Sequence, residues 1–276
     1  MQGHKQEAIE QKMWNLQMQE LGIVESEFAE LANLRLDIAC VKLGIAPTRN
    51  KAHTLIRRGK VCVNGIPCMK SAYKLSTQDR VRSLESKIFV SRAGEKLCYF
   101  LKEYPILDFK GKNALDIGAS TGGFCEVLLQ KGVESVVCVD VGNNQLHDTL
   151  RENPHVISYE NTDIRDFAKE YTKNCMRGFE IVVCDVSFIG LKDILDSIIA
   201  LSSDKVILLF KPQFEVGREV KRNKKGVVQD KLAIQKALGN MLKLLEHSGF
   251  GILKCAESEI AGKEGNVEFF IACQKL

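Results

Sequence analysis

The 276-residue sequence predicts an α/β protein in two parts: a parallel sheet with helices on both faces, preceded by a small basic α+β domain. Three observations predict it. From residue 113 onward, apolar runs (Ala114–Ile117, Val136–Val141, Val156–Tyr159, Ile181–Val186, Val206–Phe210) alternate with amphipathic stretches. A glycine-rich turn closes the first run, Asp116-Ile117-Gly118-Ala119-Ser120-Thr121-Gly122-Gly123-Phe124, and opens a helix Phe124–Gln130. Charge is segregated: residues 1–34 carry two Lys and six Glu, net −4, and residues 35–92 carry thirteen Lys or Arg against Asp37, Asp79 and Glu85, net +10. Of the total of +4, residues 93–276 are left with −2.

Composition excludes several classes. With 45% hydrophobic and 27% charged residues, the chain is neither intrinsically disordered nor collagen-like. The longest aliphatic and aromatic run, Val206–Phe210, is far short of the ~20 residues that span a bilayer. Residues 1–34 lack the basic start, apolar stretch and cleavage site of a secretory signal, so a cytoplasmic protein is expected. Ten cysteines show no Cys-x-x-Cys pair, and several sit in strand patterns (Cys138, Cys184), where a reduced thiol is a small hydrophobe. No metal is expected.

A net charge of +10 over 35–92 attracts polyanions through counterion release. Leu36, Ile38, Ala39, Val41 and Leu43 predict a short helix closed by Gly44. A second helix, Arg49–Arg58, starts at the N-cap Thr48 and buries Ala52, Leu55 and Ile56. Val61, Val63 and Ile66 flank Asn64-Gly65, a two-residue hairpin signal. Arg35-Leu36-Asp37, Arg49 to Ile56 and Gly59 to Gly65 resemble the S4-like RNA-binding module over about residues 35–84. That resemblance implies that Arg49, Lys51, Arg57, Arg58 and Lys60 contact RNA, whose folded shape would be read there.

Ligands of an open α/β sheet bind at the carboxyl ends of its strands, where the glycine-rich turn lies. A phosphate-gripping P-loop needs Lys then Ser or Thr after its last glycine; Phe124 and Cys125 stand there. The dinucleotide fingerprint lacks its second glycine at Ser120. What remains is an acid before the turn and Asp140 at the end of the next run, a carboxylate able to accept from both hydroxyls of a ribose. This pattern resembles Rossmann-like methyltransferases of the FtsJ-like group. The resemblance implies S-adenosyl-L-methionine as cofactor, held by Asp116, Gly118, Ser120, Thr121, Gly122, Gly123, Phe124, Asp140 and Asp185, with Asp163 on the adenine side.

Asp185 and Lys211 each end a buried apolar run, where an unpaired charge is costly, so a site is the economical explanation. Lys96 and Glu268 complete a Lys-Asp-Lys-Glu set that matches the ribose methyltransferases. A sugar hydroxyl is a poor nucleophile, and a neutral lysine can take its proton as it attacks. Lysine ordinarily titrates near ~10.4, and reaching ~7 needs roughly 4 kcal/mol, which a second lysine and exclusion of water can supply. Lys211 is the expected base, with Asp185 and Glu268 orienting the amines and Lys96 steering the ribose or a neighbouring phosphate.

The whole order resembles the TlyA family: acidic extension 1–34, which reads as helical, S4-like domain 35–84, linker 85–92 and FtsJ-like methyltransferase domain 93–276. The resemblance implies 2′-O-methylation of cytidine in ribosomal RNA, with ribosomal RNA or ribosomal subunits as partners and no membrane. The family is also labelled haemolysin. A non-catalytic RNA-binding assembly factor and a haemolysin stand as alternatives. Pseudouridine synthases carry similar basic modules, but the Arg35-Leu36-Asp37 triplet opens the module here and has no second copy.

Overall fold

The computed structural model describes residues 31–77, 79–83, 89–105, 107–174, 177–217, 219–262 and 264–276. The expected helical extension lies outside the described residues up to position 30. The chain divides into two compact units, 1–88 and 89–276.

In the first unit, α1 (Leu36–Lys42) and α2 (Arg49–Arg57) bury Leu36, Ala39, Cys40, Ala52, Leu55 and Ile56 in a single core. Thr48 caps α2 by accepting from Lys51 N at 3.3 Å. β1 (Val61–Val63) pairs antiparallel with β2 (Ile66–Pro67) and β3 (Val81–Ser83). Asn64 and Gly65 both take positive φ, 52° and 80°, as the favoured two-residue hairpin turn requires. The Arg-Leu-Asp triplet has a structural use here. Asp37 is 1% exposed, and its carboxylate accepts from Arg35 Nε and Arg49 Nε, both at 3.0 Å. The Arg35 hydrogen bond, with Arg49 adding to it, holds this carboxyl down at about 2. α1 and the start of α2 are thereby tied together through charge-assisted hydrogen bonds.

The second unit carries a seven-stranded sheet: β4 (Asn113–Ile117), β5 (Ser135–Val139), β6 (Val156–Tyr159), β7 (Phe179–Cys184), β8 (Ser202–Phe210), β9 (Phe250–Glu257) and β10 (Phe269–Lys275), in the order β6-β5-β4-β7-β8-β10-β9. Both faces are covered, which explains the unbroken apolar runs. In β8, Val206, Leu208 and Phe210 pack on one face with α6 (Ile164–Lys173), α7 (Leu195–Leu201) and α9 (Lys231–His247), while Ile207 and Leu209 pack on the other. That second face is covered by α3 (Arg92–Glu103), α4 (Gly123–Gln130) and the short α5 (Asp148–Arg151). Phe89, expected in the linker, is buried in this core with Leu97 and Phe124.

Five strands, β6 to β8 in spatial order, are parallel as expected. The sheet is not wholly parallel: β10 runs antiparallel between β8 and β9. The connection 258–268 has no helix among its described residues, and so short a link joins antiparallel neighbours rather than crossing over the sheet.

Candidate active site

The chain lays β4, β5 and β6 outward on one side, then returns to place β7 on the other side of β4. The crevice where the order reverses lies at the carboxyl ends of β4 and β7. Gly118 follows β4 with φ 79°, and a Cβ on it would stand 3.0 Å from the Asp185 carbonyl oxygen beyond β7. Only glycine lets the turn pass so close to that strand end.

Asp140, one residue past β5, accepts from Ser120 N at 2.8 Å and Gly142 N at 2.6 Å. These bonds fix the turn against its neighbour and leave each carboxylate oxygen further lone pairs. Asp163 lines the same cavity, but its carboxylate caps α6 through Arg165 N at 2.8 Å and pairs with the Arg165 guanidinium at 2.6 Å. Thr121 is exposed, Gly122 and Gly123 are buried at the start of α4, and Phe124 packs inward toward Phe270, ring centroids 6.2 Å apart.

Asp116 forms the floor, fully buried within β4. Its Oδ2 accepts from Cys125 N at 2.9 Å, while the buried Oδ1 has no partner among the described residues. Burial first, then the charges of Asp185 and Asp140, push this carboxyl up to about 8.

The four expected charged residues come together as two ion pairs. Lys211, just beyond β8, places Nζ 2.6 Å from Asp185 Oδ1 and donates to Ser187 Oγ at 2.9 Å. Lys96, on α3, donates from Nζ to Glu268 Oε2 at 2.6 Å. Lys96, Asp185 and Lys211 line one cavity with Asp116 and Gly118. Both lysines are 8% exposed and Glu268 is 3% exposed, so removing either partner of a pair would strand a buried charge. Burial pushes the Asp185 carboxyl up, and the Lys211 ammonium pulls against it.

Lys96 reaches this cavity because α3 and α4 touch through glycines. A Cβ on Gly94 would lie 2.8 Å from the Gly123 carbonyl oxygen and 2.6 Å from Phe89 Cβ. The Ser91-Arg92-Ala93-Gly94-Glu95-Lys96 segment is therefore a packing device that delivers an amine two residues further on.

The sequence reading did not assign Ser187 or Phe188 to the site. Phe188 takes φ 68° and is 92% exposed, with its ring 5.5 Å from that of Phe214. A bulky residue in this conformation, left in solvent beside a charged cavity, is strained and unburied at once. The available signal was an aromatic placed straight after the charged strand end Asp185-Val186-Ser187. In the first unit, Arg49, Lys51, Arg57, Arg58 and Lys60 are all exposed, with Arg49 held on one side by Asp37.

A Rossmann-like sheet whose switch point gathers a glycine-rich turn, an acidic floor and two lysine-carboxylate pairs defines a methyltransferase domain. Residues 89–275 match the family described as FtsJ-like methyltransferase, and residues 34–81 match the S4 domain. The chain belongs to the TlyA family of FtsJ-like methyltransferases that carry an S4 domain. It is 43% identical over 241 residues, 81% of this chain and 92% of the relative, to the 23S rRNA (cytidine-2′-O)-methyltransferase TlyA of Campylobacter jejuni. A 35% identity over 241 residues, 86% of this chain and 88% of the relative, links it to the 16S/23S rRNA (cytidine-2′-O)-methyltransferase TlyA of Mycobacterium tuberculosis. Hemolysin A of Brachyspira hyodysenteriae is 36% identical over 86% of this chain and 98% of its own length. Among solved structures, the one described as "Putative hemolysin from Streptococcus thermophilus" superimposes with a TM-score of 0.63 at 33% identity, covering 89% of each chain. Among the described residues, no helix is long and apolar enough to cross a membrane.

Proposed function

We propose that this chain methylates the 2′-hydroxyl of cytidine in ribosomal RNA with S-adenosyl-L-methionine. The observation that carries the reading is the meeting of Lys96–Glu268 and Lys211–Asp185 beside the Gly118 turn.

The residues present fit the cofactor. Its cationic groups match the buried Asp116 Oδ1, which has no partner among the described residues, and the Asp185 carboxylate; its ribose hydroxyls match Asp140; and the Gly118 turn lines the cavity between them. When bound, the cofactor supplies an activated methyl group, carried on a sulfonium that keeps the electron pair of the broken carbon–sulfur bond. The protein's part is to hold the 2′-oxygen and move its proton. Lys211 accepts that proton on Nζ as a neutral amine, having first released its own ammonium proton to solvent, and its position is set by Asp185 and by Ser187. Lys96, oriented by Glu268, holds the ribose or an adjacent phosphate. The basic domain 35–84 adds affinity for RNA through Arg49, Lys51, Arg57, Arg58 and Lys60. Placed beside the cavity, Phe188 offers an exposed ring face on which a base can stack.

Transfer of a labelled methyl group to ribosomal RNA tests this reading against a non-catalytic assembly factor. The full chain with labelled cofactor should charge unmodified ribosomal RNA to a fixed stoichiometry, and Glu268→Gln should slow that transfer while RNA binding persists. Tight RNA binding with no transfer of label would establish the assembly-factor reading instead.

A further inference from the structure

Between Lys211 and α9 the chain makes an excursion, 212–230, which opens with the short α8 (Pro212–Glu215). Its tip reads Lys221-Arg222-Asn223-Lys224-Lys225, four cations in five residues, of which Lys221, Lys224 and Lys225 are exposed. Exposed Glu219 and Asp230 flank it.

The tip is firmly built. Arg222 pairs across to Val228 in an antiparallel bridge. Asn223 N donates to Val227 O at 3.0 Å, and Asn223 Oδ1 accepts from Lys225 N at 2.8 Å and Val227 N at 3.0 Å. The Arg222 guanidinium donates to four backbone carbonyls: Val220 at 2.8 Å, Gly217 at 3.2 Å, and Gln213 and Val216 at 3.4 Å. One cation thus organises the loop, and three face outward.

Both ends are anchored close in sequence to the catalytic pairs. Gln213, under the Arg222 guanidinium, lies two residues after Lys211. On the other side, Val228 N donates to buried Asn266 Oδ1 at 3.1 Å, and Asn266 lies two residues before Glu268. The three lysines therefore sit on a turn whose two ends are hydrogen-bonded to residues next in sequence but one to Lys211 and to Glu268. Like charges held together on a rigid turn repel one another unless a polyanion answers them.

From this we infer that Lys221, Lys224 and Lys225 form a phosphate grip of the methyltransferase domain, which takes the RNA backbone flanking the target ribose and sets its register against Lys211. The inference rests on RNA being the substrate. The cations of the basic domain supply general affinity, whereas this grip acts on the fit of the target nucleotide.

The test compares the full chain with two triple variants, Lys221→Gln/Lys224→Gln/Lys225→Gln and the same positions changed to Arg, on ribosomal RNA. Removing three phosphate contacts should lower the salt slope of RNA binding by about 2 and raise KM for RNA on the order of 10-fold, with cofactor affinity unchanged. The arginine triple should stay close to the unaltered chain in slope and KM. An unchanged slope and KM in the glutamine triple would overturn the grip. So would loss of binding to phosphatidylglycerol vesicles with RNA binding intact, which would assign the patch to a lipid surface. An unaltered chain that binds RNA but transfers no methyl would defeat the methylation reading, and the salt slope would then decide the grip by itself.

Discussion

Lys211→Ala and Lys211→Arg should each lower methyl transfer on the order of 100-fold or more, the usual loss when a general base is removed. The comparison between them matters more than either value. Arginine keeps the positive charge beside Asp185 but does not give up its proton near neutral pH. If Lys211 served only to neutralise phosphate, arginine would restore much of the rate. As a proton acceptor it has no such substitute, and the fall should appear in kcat, with cofactor affinity retained. Rates measured under single turnover, beside calorimetry of cofactor binding, separate these outcomes. Substantial turnover by Lys211→Arg would move the role of base to Lys96, whose amine is already engaged by Glu268 at 2.6 Å.

Asp116→Asn should do two opposite things: stabilise the free protein at neutral and alkaline pH, and cost cofactor affinity on the order of 100-fold, the scale of breaking a buried charge pair. The carboxyl is pushed up to about 8 in the folded chain, above the ordinary carboxylate value. Its contribution to stability is therefore fully present below about pH 4 and is lost as pH rises through about 8. Asparagine removes that loss and can still accept from Cys125 N. Thermal denaturation across pH 5 to 9 should show the variant gaining on the parent as pH rises. A parent whose stability does not fall over this range, or a variant that binds cofactor normally, would remove Asp116 from the role of buried counter-charge.

Much of this site could be read in the residues because strands end where apolar runs end. Asp140, Asp185 and Lys211 each stand at the end of such a run, and the structure sets all three immediately beyond a strand, with β5 and β7 stopping just short of the expected run ends. The helix pair and hairpin of the basic domain were legible for the same local reasons: a Thr cap and an Asn-Gly turn act through neighbours in sequence. What escaped is non-local. β9 is half-buried at the sheet edge, and neither it nor the buried antiparallel β10 was among the expected runs. Division of the four charges into Lys96–Glu268 and Lys211–Asp185 depends on α3 closing against Gly123, a contact 29 residues apart between two glycines. Asp163 was expected on the adenine side through the resemblance alone, and its capping of α6 and its pairing with Arg165 emerge only from geometry. The anchoring of the 221–225 tip rests on Asn266, 38 residues beyond Val228, and no local pattern announces it.

Nucleoside analysis of the labelled RNA product bears most directly on the proposed chemistry. After complete digestion, the methyl group should be found on the ribose of cytidine, as 2′-O-methylcytidine, and should be absent from RNA treated with Lys211→Ala. Label on a base, or on no nucleoside at all, would contradict it.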